Sequence, residues 1–223
     1  MKSIDELRTL IEQELYGLKY PNSPVDLYSP IEYILSLGGK RMRPILLLLA
    51  HQLFDEDIQK AIKPSLAIEV FHNFTLLHDD IMDKAPVRRG KATVHTKWNE
   101  NIAILSGDAM LIQSYQYLCD LPSKQLDKCL AVFNEMALQV CEGQQYDMDF
   151  EIQAEVDMES YLKMIEYKTA VLLGAALKMG AIIAGATQKQ GDALYEFGRN
   201  IGIAFQLKDD LLDVFGNEQT FGK

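Results

Sequence analysis

The five residues Asp79-Asp80-Ile81-Met82-Asp83 end a long apolar segment. On a helix, positions i and i+4 share a face, so Asp79 and Asp83 would point the same way, roughly 5–6 Å apart at Cβ. Adjacent carboxylates repel one another, and at a helix C-terminus they also oppose the macrodipole. A hard divalent cation resolves both problems, because Mg²⁺ takes oxygen ligands and shares them with substrate phosphates. The pattern returns at Asp209-Asp210-Leu211-Leu212-Asp213. With seventeen Asp in 223 residues, one such match by chance is expected only about 0.1 times per chain. The expectation is two facing carboxylate helix ends that hold metal around a polyanionic substrate.

Cationic and polar residues lie where such a substrate would need them. Arg88 and Arg89 follow the first cluster closely, and guanidinium matches phosphate oxygens through paired hydrogen bonds; ion pairing with the neighbouring carboxylates is the alternative. Lys40 and Arg43 follow Gly38-Gly39 at a helix start, where anions are attracted; ordinary surface cations are the alternative and, for this pair taken alone, the favoured one. His72 sits two turns before Asp79, as a core histidine or a ligand-facing one. Lys168-Thr169 opens a small-residue helix, with Thr169 as a possible cap. Gln206, three residues before Asp209, shares the face of the second cluster. Gln144 and Asp147 end another helix, either facing a cavity or lying in a polar loop.

The elements that must carry these residues read as helices. Apolar residues at 4, 7, 10, 11, 15 and 18 follow a helical period over 3–18. Pro21 to Pro24 break the chain, and a helix over about 26–37 ends at the glycine pair. Pro44 suits the first turn of a helix over 45–53. A long helix then begins near 58 or 65 and runs to 82, and 86–90 form a loop. Helices are expected over 96–119, interrupted at Gly107, and from 122 to 143. Residues 144–156 read as a polar, acidic loop or a frayed helix end. Two more helices, about 157–185 and 189–215, complete the chain. No strand-like alternation recurs, so the spacing predicts one all-α bundle with short connections, a single domain over 1–223.

Composition narrows the function classes. The chain is 48% hydrophobic, with a net charge of −10, which disfavours general nucleic-acid binding. Three cysteines without a CxxC pair indicate reduced thiols and a cytoplasmic protein. The N-terminus is an amphipathic acidic helix without a signal-peptide apolar region. The most apolar helix, about 170–186, carries Lys178 and many small residues, so it reads as buried rather than membrane-spanning.

Taken together, Gly38-Gly39-Lys40-Arg41-Met42-Arg43-Pro44, the first aspartate cluster with Arg88-Arg89-Gly90, Lys168-Thr169, and Phe205-Gln206 with the second cluster resemble the trans-prenyltransferases, or polyprenyl diphosphate synthases. The match runs from about residue 38 to the end in the family's order and spacing. The resemblance implies the isoprenoid synthase bundle around a deep central cavity, with the C-terminal helices of the family missing here. It implies Mg²⁺, three ions, and head-to-tail condensation of isopentenyl diphosphate with an allylic diphosphate of five to fifteen carbons. It also implies a homodimer through helices near 96–118.

Residue by residue, the resemblance puts Lys40, Arg43, His72 and Arg89 at isopentenyl diphosphate, and Arg88, Lys168, Thr169, Gln206 and Lys223 at the allylic diphosphate. Asp79, Asp83 and Asp209 become metal ligands. Asp80, Asp210 and Asp213 become their supports, so that Asp79, Asp80, Asp83, Arg88, Lys168, Asp209 and Asp210 form the catalytic set. Phe74 and Thr75, five and four residues before Asp79, match the positions that set product length. A large Phe74 beside a small Thr75 resembles short-chain enzymes making C15 or C20 products, and the balance favours C20. A terpene cyclase on the same fold would not need Lys40 and Arg43 and usually carries a different second motif. A non-catalytic partner subunit would often have lost an aspartate cluster. A His-Asp phosphohydrolase built on His51 and His78 would leave the second cluster unexplained.

Overall fold

The computed structural model describes residues 1–215. It contains ten α-helices, one π-helical turn and a minimal hairpin among the described residues: α1 (Ile4–Tyr16), α2 (Val25–Ser36), α3 (Met42–Gln52), α4 (Gln59–Met82), β1 (Val87–Arg88), β2 (Lys91–Ala92), α5 (Val94–Lys97), α6 (Glu100–Leu118), α7 (Ser123–Phe150), α8 (Met158–Ile165), the π turn (Glu166–Ala170), α9 (Val171–Ile183) and α10 (Gln188–Phe215). The all-α expectation holds. No described helix is long and apolar enough to cross a membrane. Two compact units divide the chain, one of Met1–Leu48 with Glu56–Leu126 and one of Leu49–Asp55 with Asp127–Lys223.

In the first unit, α4 packs along α6, and α2 packs on both. Local chemistry sets the boundaries. Ser3 and Glu6 form a reciprocal capping box, and Leu7, Ile11 and Leu15 then bury one stripe of α1. Asn99 caps α6 by accepting from the Ile102 amide at 2.9 Å. From Ala61 to Phe71, α4 is buried at nearly every position, so it shows no amphipathic stripe.

Gly107 does not interrupt α6, which runs through it unbroken. A Cβ at residue 107 would lie 2.3 Å from Nε2 of His78, so the glycine lets α4 and α6 approach around that ring. The expected loop at 86–90 is a two-residue hairpin turn, with Arg89 at φ 52° and Gly90 at φ 73°. Two residues per strand are too few for alternation to register in sequence.

In the second unit, α9 packs along α10, and both pack on the π turn. The packing of α9 on α10 is close because it is made of small residues. A Cβ at Gly198 would lie 2.9 Å from the Gly174 backbone. Two other boundaries differ from expectation. α7 continues past Gly143 to Phe150, supported by Gln145 donating to Asp149 at 2.8 Å and by the Tyr146–Phe150 ring stack. The single helix expected over 157–185 is broken into α8, the π turn and α9.

Candidate active site

In the first unit, the site begins with backbone that few residues adopt. Gly38 has φ 77°, Gly39 φ 141° and Arg41 φ 50°. A non-glycine residue in this region costs energy unless its surroundings over-determine it. For Arg41 they do. Arg41 is 4% exposed, and its guanidinium pairs with Glu69 on α4 at 2.6 Å and donates to the Leu35 carbonyl at 2.7 Å. Glu69 also accepts from the side-chain amide of Asn73 at 3.2 Å. Removing either charge would leave the other buried and unpaired. Arg41, Glu69 and Asn73 were missed by the sequence reading. Arg41 lies inside the motif, but nothing in the pattern separates a buried arginine from an exposed one.

That clamp fixes the start of α3 and with it Arg43. Nη1 of Arg43 lies 3.0 Å from Nε2 of His72 on α4. Arginine can only donate, so His72 accepts at Nε2 and carries its proton on Nδ1. Burial, then Arg43, Arg89, Arg88 and Arg41, hold the His72 pKa well below the ordinary imidazole range. Burial lowers Arg43 to about 10, and its Nε is a buried donor without a partner among the described residues.

Arg89 completes the group. It holds a left-handed backbone on the hairpin turn and donates to the Gly38 carbonyl. Its guanidinium lies over Gly39, where a Cβ would come within 3.0 Å. Burial and the charge of Arg41 lower its pKa as well. Of the four arginines whose charge reaches His72, Arg41 and Arg88 are already paired with Glu69 and Asp80, while Arg43 and Arg89 contact no carboxylate among the described residues, an arrangement suited to binding an anion. Lys40 is exposed beside them.

The first aspartate cluster occupies the last turn of α4, with Asp83 as its C-cap. Asp80 is buried, and Nε of Arg88 lies 2.9 Å from both its oxygens, with Nη2 at 2.8 Å from Oδ1. Arg88 thus makes the carboxylate pair that was the alternative to phosphate binding. That pair occupies Asp80, and Asp79 and Asp83 lie one helical turn apart at the end of α4. Phe74 stands between two rings of the same helix, 5.6 Å from Phe71 and 4.8 Å edge-on from His78. Thr75 spends its hydroxyl on the His72 carbonyl at 2.8 Å, so its methyl is what it can present outward.

In the second unit, Lys168 and Thr169 lie on the π turn. Thr169 is therefore not a helix cap, because the chain is helical on both sides of it. Single π turns often mark functional positions. This one is wedged between two glycines. A Cβ at Gly143 on α7 would lie 2.3 Å from the Lys168 nitrogen, and one at Gly202 on α10 would lie 2.5 Å from Cα of Ala170. Lys168 pairs with Asp147 on α7 at 2.6 Å, which places Asp147 at the site rather than in a loop. Gln144, one turn earlier, has a buried, unpartnered Oε1.

A hydrogen-bond chain runs to the second cluster. Thr169 donates to Oε1 of Gln206 at 3.1 Å, and Nε2 of Gln206 donates to Asp210 at 2.8 Å. Tyr161 on α8, not anticipated from sequence, donates to the other oxygen of Asp210. Burial and Asp210 push that phenol up to about 12, so it remains a donor. Lys223 lies outside the described residues, as does the side chain of Asp213.

Among the described residues, no three His, Cys, Asp or Glu side chains gather into a metal cage of their own. The donor set still fits Mg²⁺, which is commonly held by one or two carboxylates plus substrate phosphates and waters.

Comparison with known proteins adds to this geometry. The family model described as Polyprenyl synthetase matches residues 24–223. A geranylgeranyl diphosphate synthase of Methanosarcina mazei is 42% identical over 228 residues, covering 100% of this chain and 70% of the relative. A short chain isoprenyl diphosphate synthase of Methanocaldococcus jannaschii is 38% identical, covering 96% and 64%. A crystal structure of a geranylgeranyl pyrophosphate synthase superposes with a TM-score of 0.96 at 50% identity, covering 100% of this chain and 68% of that one. The chain thus spans roughly two thirds of the length of these relatives.

Proposed function

This chain belongs to the polyprenyl synthetase family of prenyltransferases, and on that premise we propose that it performs the Mg²⁺-dependent head-to-tail condensation of isopentenyl diphosphate with an allylic diphosphate. The observation that carries the reading is Arg43 and Arg89, which contact no carboxylate among the described residues, beside His72, with the buried Arg43 Nε unsatisfied. A diphosphate supplies the missing charge and the missing acceptor there. Arg43, His72, Arg89 and Lys40 bind isopentenyl diphosphate. Arg88, Lys168, Thr169 and Gln206 bind the allylic diphosphate. Asp79, Asp83 and Asp209 hold the metal.

In the reaction, the allylic carbon–oxygen bond breaks and diphosphate departs with the electron pair. The double bond of isopentenyl diphosphate attacks the allylic carbon, forming the new carbon–carbon bond. The released diphosphate then takes a proton from the attacking unit, restoring a double bond. Mg²⁺, when bound, neutralises the charge that develops on the leaving group. Arg88 and Lys168 contribute fixed positive charge to diphosphate binding, each oriented by its own carboxylate, Asp80 and Asp147. With Nε2 accepting from Arg43, His72 has Nδ1–H left to donate, and it orients diphosphate as a hydrogen-bond donor.

Phe74 sets the product at C15 to C20. The size of its ring and its packing between Phe71 and His78 support a floor, and the small Thr75 favours C20. Names of similar proteins point the same way, since geranylgeranyl recurs among them. A homodimer through α6 accounts for Leu105 and Ile112, which stand 60% and 61% exposed seven residues apart on that helix. The family match running unbroken over 24–223 supports reading the chain as one synthase domain, and the absence of a CxxC pair among its three cysteines favours a cytoplasmic location.

The test is product analysis. The protein is incubated with Mg²⁺, labelled isopentenyl diphosphate and, separately, C5, C10 and C15 allylic diphosphates, and the dephosphorylated alcohols are sized. A single C15 or C20 alcohol, abolished by chelation and restored by Mg²⁺, is expected. Binding of both diphosphates without condensation would overturn the reading.

A further inference from the structure

The second aspartate cluster sits far along α10. The backbone of α10 is fixed against the π turn at Gly202, which touches Ala170. Eight residues, about 12 Å of helix, separate that contact from Asp210. Over this length the carboxylate end of α10 would pivot unless something ties it down. Among the described residues, two hydrogen-bonded links from other elements reach this end, one to Gln206 and one to Asp210. Gln206 donates to one of its oxygens and is itself held by Thr169 on the π turn. Tyr161 donates to the other from α8. α8 is held in turn because it runs directly into the π turn and packs on it. Asp210 is therefore held by two neutral donors, Gln206 from its own helix and Tyr161 from α8.

We propose that Tyr161 is a positioning residue: through Asp210 it fixes the end of α10 to α8, so that Asp209 is presented to metal in register with Lys168 and Thr169. The inference rests on the synthase reading above. It predicts a specific division of labour. Losing the Tyr161 hydroxyl weakens metal-dependent capture of the allylic diphosphate and leaves isopentenyl diphosphate binding as it was, because Arg43, His72 and Arg89 belong to other elements.

The experiment is calorimetry with geranyl S-thiolodiphosphate, an allylic analogue that resists ionisation, at a series of Mg²⁺ concentrations. Wild type is compared with Tyr161→Phe, Asp210→Asn and the double variant. Loss of a hydrogen bond that orients a metal site typically costs 10- to 100-fold in metal affinity. The half-saturating Mg²⁺ concentration in Tyr161→Phe is expected to rise about tenfold, near the lower end of that range. Isopentenyl diphosphate affinity is expected to be unchanged. Tyr161→Phe should add little once Asp210→Asn is present, since both act through one contact.

A Tyr161→Phe protein with wild-type Mg²⁺ dependence overturns the inference, whether or not its melting temperature falls. Additive effects in the double variant do so too. Should wild type itself show no Mg²⁺-dependent binding of the analogue, the synthase reading fails instead, and the two failures are distinct.

Discussion

His72 shows most plainly how position sets chemistry. A histidine in water protonates near pH 6.5. Here burial and four arginines hold the imidazole neutral well below that. Between the lowered native pKa and 6.5, the unfolded chain binds a proton that the native chain refuses, so stability falls as pH falls. Urea unfolding of wild type and His72→Gln from pH 8 to pH 5 should show it. Wild type is expected to lose up to about 2 kcal/mol more than the variant between pH 7 and pH 5. Parallel curves would remove His72 from the argument. Phe74 makes the second residue-scale prediction. Replacing the ring with alanine opens the position five residues before Asp79, and the dephosphorylated product should lengthen by one or more C5 units. An unchanged chain length would take Phe74 out of the specificity role.

Among elements, the π turn is the most consequential, because it orients Lys168 and Thr169 together and survives only between two glycines. Gly143→Ala would place a methyl 2.3 Å from the Lys168 nitrogen, a separation that neither backbone can tolerate. Overpacking of this kind costs about 1–3 kcal/mol. The urea midpoint should drop accordingly, and the KM for the allylic substrate should rise as the turn shifts. A variant with wild-type midpoint and KM would mean that α7 and the turn are not in contact. The hairpin that bears Arg89 is a parallel case. Its strained turn is maintained by the hold of the side chain on the Gly38 carbonyl, so motif and conformation depend on each other.

For the whole molecule, the exposed apolar residues of α6 carry the prediction. Leu105 and Ile112 lie seven residues apart on one face, and hydrophobic side chains so placed are expected to be covered by a second copy. Sedimentation should give a dimer for wild type and a monomer for the Leu105→Glu, Ile112→Glu double variant. A wild-type monomer would sink this assembly.

Sequence by itself determined the helical class, because apolar residues at a 3.6-residue period need no tertiary information to be read. It also determined the two aspartate clusters and their basic companions, since i, i+4 spacing makes a shared face wherever the helix lies. Other features escaped because no local signal carries them. Gly107 and Gly143 looked like helix breaks. Each is a point of close approach to another element, His78 in one case and the π turn in the other, and a glycine's neighbour in space is not written next to it in the chain. Tyr161 and Glu69 are ordinary helix residues by pattern, and they became site residues only when folding brought Asp210 and Arg41 within hydrogen-bond reach. Whether Arg88 meets a carboxylate, and whether His72 is charged, was likewise decided by tertiary structure. Pairing and desolvation are properties of the surroundings that packing creates, and composition and spacing do not contain them.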